Sequence, residues 1–148
     1  AIKMSAINKV NAGFAGAIAL NVIHESLKKT TSNVPRIDLL GEEALQGGLH
    51  YLGTEIEDEE DLYLATLGAD IISNGMYYSL IGGGPKNEVW AKAITLGLLG
   101  GVGAVVLPKH MELDDKPVAK NNQVKVLTVG YYLTGALVTA AIYNMLRK

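Results

Sequence analysis

Asp70 lies in an apolar stretch, Leu62–Ile81, that holds no other formal charge. Asn74 follows one helical turn later and Tyr77 close to one turn after that, so a helix places all three on one face. A second set closes an earlier apolar stretch: Asn21, His24 and Glu25, with Asn21 and Glu25 again four residues apart. A charged Asp at the centre of a membrane span costs about 2.5–3.5 kcal/mol, so its presence asks for a reason. Three uses fit these residue types. Carboxylates, amides and an imidazole at membrane depth can relay a proton or hold a cation. His24, Glu25 and Asp70 offer nitrogen and carboxylate ligands to a divalent metal, but no HxxxH or ExxH pair supports this and no metal is expected. In the third use, Asp70 and Asn74 hydrogen-bond to neighbouring helices, or to Arg36 folding back from a loop, and simply fix the packing.

The elements that must position these residues are read from hydropathy. Val126–Leu146 is 21 residues without a charge, stopped by Arg147 and Lys148. As a helix it is roughly 31 Å long, close to the hydrocarbon thickness of a bilayer. Val10–Ile23, Leu62–Ile81 and Val89–Leu107 are further apolar stretches. The first reaches spanning length only if its helix starts near Ser5 and runs through Leu27. The second opens after Glu57–Asp61, acidic residues that suit a helix N-terminus, and stops at Gly82-Gly83-Gly84-Pro85. The third ends at Pro108 and the fourth begins after Asn121-Asn122. The expected fold is an all-α, four-transmembrane-helix bundle in a single membrane domain, 1–148, with spans at about 6–27, 61–82, 88–107 and 125–146. Tyr77, Tyr78 and Tyr143 fall where a headgroup belt places aromatic rings.

Between the first two spans, residues Ile37, Leu40, Ala44, Leu45, Leu49 and Leu52 recur at helical spacing, opposite Glu42, Glu43 and Gln46. This predicts an additional amphipathic interfacial helix over about 36–52, lying on the membrane surface or capping the bundle. Small residues inside the spans predict close helix packing: Gly13 and Gly16 in the first, and the GxxxG pair Gly97 and Gly101 in the third, with Gly100 and Gly103 alongside.

Composition removes several classes. A net charge of −2 and the lack of any basic stripe leave no footprint for nucleic acid. The absence of cysteine excludes disulfides and thiolate metal sites. No nucleophile elbow, Walker loop, HExxH or dinucleotide fingerprint occurs, and the glycines before Lys86 lack Walker spacing. The cofactor, if any, stays unknown; with His24 the only histidine near a span, paired heme ligation between spans is not expected, while His50 and His110 fall in loop-like context.

His24-Glu25 closing the first span, Pro35-Arg36-Ile37-Asp38 in the connection, Gly68-Ala69-Asp70 with Ser73-Asn74 and Tyr77-Tyr78-Ser79-Leu80, and Gly103–Pro108 together resemble a group of small four-helix bacterial inner-membrane proteins of unknown function. The resemblance implies a bacterial inner-membrane location and no particular reaction. Lysines and arginines divide almost evenly between the two sides, with a slight lean towards cytoplasmic termini. The functional expectation is an ion- or proton-handling protein acting through Asn21, His24, Glu25, Asp70, Asn74 and Tyr77, its partners the lipid bilayer and further copies of itself. A membrane-embedded binding protein or enzyme for a lipid-soluble small molecule is the alternative, and a soluble helical bundle the second alternative.

Overall fold

In a computed structural model the chain is described over residues 2–148, with side chains from residue 5 onward. It is all-α: α1 (Ile2–Leu27), α2 (Ile37–Tyr51), α3 (Glu59–Ser79), α4 (Lys86–His110), α5 (Lys116–Ala119) and α6 (Asn122–Leu146). Local chemistry sets the ends. The Asp58 carboxylate accepts from Asp61 N at the start of α3, and the Asn121 side chain accepts from Val124 N at the start of α6, each satisfying a donor the helix cannot. After α3 the chain turns through Gly83 and Gly84 at φ of 102° and 83°, a backbone region closed to most L-residues. Pro108 does not end α4; it sits in the last turn and the helix runs on to His110. Pro108 has no N–H, so Ala104 O loses its helical partner, while Leu113 N and Met111 N close the turn beyond on Pro108 O and Leu107 O. The short α5 was not legible in the sequence; Asp114 N on the Glu43 carboxylate and Arg36 N on Pro117 O tie it to α2.

Three helices are long and apolar enough to cross a membrane: Ser5–Leu27, Lys86–His110 and Asn122–Leu146. The expected first span, if it runs from Ser5 to Leu27, has the length it needed. α3 stands outside this group, because Asp70, Ser73, Asn74 and three tyrosines lower its hydropathy.

The long helices form an arc in the order α3, α1, α6, α4, each antiparallel to its neighbour in the arc. Glycines set the contacts. A Cβ on Gly13 would strike the α3 backbone at Ser79, and one on Gly16 would strike Thr139 and Gly135 of α6. On the other flank, a Cβ on Gly101 would stand 2.6 Å from Val129 Cα and one on Gly97 2.9 Å from Ala136 Cβ, both on α6. Where a Cβ is missing, backbones come close and dispersion contacts multiply. Ala12, Ala17, Leu20, Tyr78, Ala136 and Ala140 fill the seams of the arc.

α3 and α4 close no ring. They are joined by a short loop yet hardly touch along their lengths. Near that loop, Tyr77 Oη donates to Leu96 O at 2.6 Å. Towards the other end they part, and α2 lies across the gap, packed on α3 and α5.

Candidate functional site

The concave face of the arc holds a cavity of about 790 Å³. Leu99, Ala104, Leu107 and Pro108 of α4 give it an apolar wall; Ile37, Leu40, Ala44 and Leu45 of α2 roof it. The amphipathic face predicted for the interfacial helix is therefore turned into a cavity, with Leu52 left exposed past the helix end. Gly41 lets α2 come down on α3, since a Cβ there would sit 2.7 Å from Thr66 Cγ2.

The opposite wall is polar, and it is where α1 meets α3. Asn21 Nδ2 donates to Asp70 Oδ2 at 2.9 Å and also to Ala17 O at 2.9 Å. Asn74 Nδ2 donates to Asp70 Oδ1, again at 2.9 Å. Each carboxylate oxygen thus has one neutral amide donor, and no cation pairs with Asp70 among the described residues. Tyr132 of α6 lines the same cavity. One turn towards α2, Thr66 is buried at 5 % exposure and its hydroxyl has no hydrogen-bond partner. By helical rise, Asp70 stands roughly 13 Å below the acidic start of α3.

His24 and Glu25 lie nearer the roof and join a different group. His24 Nε2 is 3.2 Å from Asp38 Oδ1, though too bent for a good hydrogen bond, and its Nδ1 is 3.4 Å from Glu25 Oε1. Lys28 Nζ binds Glu25 at 2.7 Å and stands 4.5 Å over the Tyr63 ring. Arg36 does not fold back onto Asp70 or Asn74: its Nε and Nη2 grip the Asp38 carboxylate at 2.9 and 2.8 Å. Burial alone would raise the Asp38 carboxyl, but its contacts with His24 and Arg36 outweigh that and hold it well below the usual carboxylate range. This network pins the first turn of α2 to the end of α1.

Of the six residues singled out in the sequence, Asn21, Asp70 and Asn74 meet directly. His24 and Glu25 line the same cavity but pair elsewhere, and Tyr77 spends its hydroxyl on the α4 backbone. Asp38, Thr66 and Tyr132 were missed. Asp38 carried a signal, a carboxylate directly after Arg36 and Ile37 at a helix start; Thr66 and Tyr132 read as ordinary apolar-segment residues. No group of histidines and carboxylates among the described residues could hold a metal ion.

No protein-family model, curated protein or solved structure matches the chain, so no residue role is carried here from a relative.

Proposed function

We propose that the chain is a four-span membrane protein that binds a lipid-soluble small molecule in the cavity between α3 and α4. Support for a fourth span comes from the outer face of α3. Leu64, Ala65, Ile72, Met76 and Leu80 are exposed there, and its polar residues turn to α1 and the cavity or, as Ser73 does, bond back to the preceding turn. A water-facing helix would carry charge on such a face. The same holds for α4, where Ile94, Leu98, Val102 and Val106 are all exposed.

The observation that carries the binding reading is the cavity's side opening. Leu99 and Leu107 line the cavity and are still 61 % and 56 % exposed, so its lateral mouth is framed by apolar side chains at hydrocarbon depth. A molecule dissolved in the bilayer enters such a mouth without crossing water. Volume and lining fit a ligand site, an apolar wall with a few convergent polar groups.

The proton- or ion-handling reading has the Asp70 cluster in its favour. Against a path through one chain, the tyrosine hydroxyls that would continue it past Asn74 are engaged by backbone: Tyr77 by Leu96 O, and Tyr78 by Tyr132 O at 2.8 Å. Beyond them the arc is filled by Tyr78, Ile81 and Ala12.

Photolabelling tests the binding reading. A diazirine-bearing fatty alcohol in bilayers should concentrate its adducts on Leu99–Leu107 and on α3 near Ala69 and Ser73, and excess unlabelled alcohol should compete. Adducts spread evenly over the outer faces of α1, α4 and α6, with no competition, would refute a built site.

A further inference from the structure

Resting on that binding reading, we infer that the ligand is a lipophilic cation and that Asp70 is its counter-ion. Three independent features converge on the positive sign. The first is the state of Asp70. Its oxygens are fixed by Asn21 and Asn74, which orient a carboxylate and stabilise it by hydrogen bonds but bring no positive charge. A carboxylate aimed at an apolar cavity is paired or protonated, since an isolated charge there is costly.

The second feature is that the two cations that pin α2 to the end of α1 are already used. Lys28 is engaged by Glu25 at 2.7 Å, with Asp38 at 3.7 Å, and Arg36 is engaged by Asp38 at 2.8 Å. Neither is free to descend to Asp70, and His24, the imidazole that lines the same cavity, stands between Asp38 and Glu25, so no internal cation is bound to the Asp70 carboxylate. Thr66, buried and without a hydrogen-bond partner, adds an acceptor one turn above the carboxylate, where an ammonium with more than one N–H would need it.

The third feature is the field at the roof end. Glu42 and Glu43 sit on α2 itself, and the run Glu57–Asp61 opens α3 beside it. The opposite end of the molecule, around the α3–α4 loop, is basic: Lys92 Nζ lies on Gly83 O at 2.8 Å and Arg147 Nη1 on Gly84 O at 2.6 Å, with Glu88 the acidic residue there. The roof end also carries seven lysines and arginines, Lys109, Lys116 and Lys120 among them, but thirteen carboxylates outnumber them, so the cavity lies at the acidic end, which draws cations to it and repels anions.

The test uses the full chain in phosphatidylcholine nanodiscs at pH 7 with three probes of one chain length: dodecylamine, dodecan-1-ol and dodecanoate. An alkylammonium keeps its charge at this pH. Labelled amine should bind at least about tenfold tighter than the alcohol, and dodecanoate should not compete. Asp70→Asn should bring the amine down to the affinity of the alcohol and leave the alcohol unchanged, while Asp70→Glu should restore the preference. Equal binding of amine and alcohol, or equal loss of both in Asp70→Asn, overturns the charge assignment and leaves the cavity reading standing. Failure of all three to bind removes the cavity reading and the charge assignment with it. If Asp70→Asn does not fold, the order of the three probes on the unaltered chain decides alone.

Discussion

The α4–α6 seam and the α3–α4 gap share one helix, and the same pattern of small residues serves both. Gly97 and Gly101 stand on the face of α4 that meets α6, where a side chain would run into Ala136 or the backbone of Val129. Gly100 and Gly103, interleaved with them, stand on the face that lines the cavity. A Cβ on Gly103 would meet only Leu107 Cδ1 of its own helix, at 3.6 Å. A Cβ on Gly100 would stand 3.1 Å from the Tyr77 ring, so this glycine makes room for the side chain that crosses from α3 to Leu96 O. Gly97 and Gly101 remove volume so that helices can touch; Gly103 removes it where no other helix stands. The lesson is that a small residue in a span reports that space is needed, and only the neighbours say whether backbone or ligand fills it.

This contrast also marks what the sequence could yield. The long helices, the stop at Gly82–Pro85, the start at Asn121 and the amphipathic face of α2 follow from periodicity, breakers and caps, which are local. So is the sharing of a face by Asp70 and Asn74. Which helices would touch is not local. Gly97 and Gly100 look alike in a string of letters, and the open flank between two helices joined by so short a loop contradicts the usual expectation that sequential neighbours pack. Arg36 differs, since its partner is local: a carboxylate two residues away, Asp38, captures it before it can reach Asp70 or Asn74. Thr66 and Tyr132 became visible only once α2 and α6 were in place around them.

The sharpest way to break the contrast is at the seam. Gly101→Leu drives a side chain into Val129 Cα, a backbone atom that cannot step aside without moving α6. Overpacking of this kind costs about 3 kcal/mol at the upper end of its usual range, enough to unfold a marginal protein. Unfolding by SDS titration in mixed micelles should show the loss directly. A variant as stable as the unaltered chain would mean that α4 and α6 are not held as described.

A smaller effect is expected at the roof, which separates the pinned end of the cavity from its open side. Asp38→Asn leaves Arg36 and Lys28 facing a neutral amide in a largely buried place, a loss of about 2 kcal/mol for charge-assisted bonds. It should appear as faster amide exchange in α2, with α1 and α6 unchanged. The unaltered chain should show the same loosening in acid. Because the folded Asp38 carboxyl titrates below its unfolded value, its contribution is complete above about pH 4 and declines as pH falls through that value. Glu42 opposes this, since burial and then the nearby Asp38 raise its carboxyl. Protection factors for α2 that hold constant from pH 7 to pH 3, or an acid response that persists in Asp38→Asn, would exclude the Asp38 contacts as the pin.

The smallest effect on stability, and the most telling, belongs to Gly103→Leu. The side chain projects from a helical turn into the cavity and meets only Leu107 at ordinary contact distance, so no backbone has to move. Leucine is the better helix former by nearly 1 kcal/mol, so SDS resistance should stay the same or rise slightly. The same side chain occupies the space between Leu99, Ala104 and Leu107 where the ligand's apolar part is placed, so photolabelling by the fatty alcohol should fall to background. Gly101→Leu, two positions away, should lose fold and labelling together. Retained labelling in a well-folded Gly103→Leu would move the ligand out of the gap between α3 and α4. It would also leave Gly103 without a part in either the seam or the ligand site.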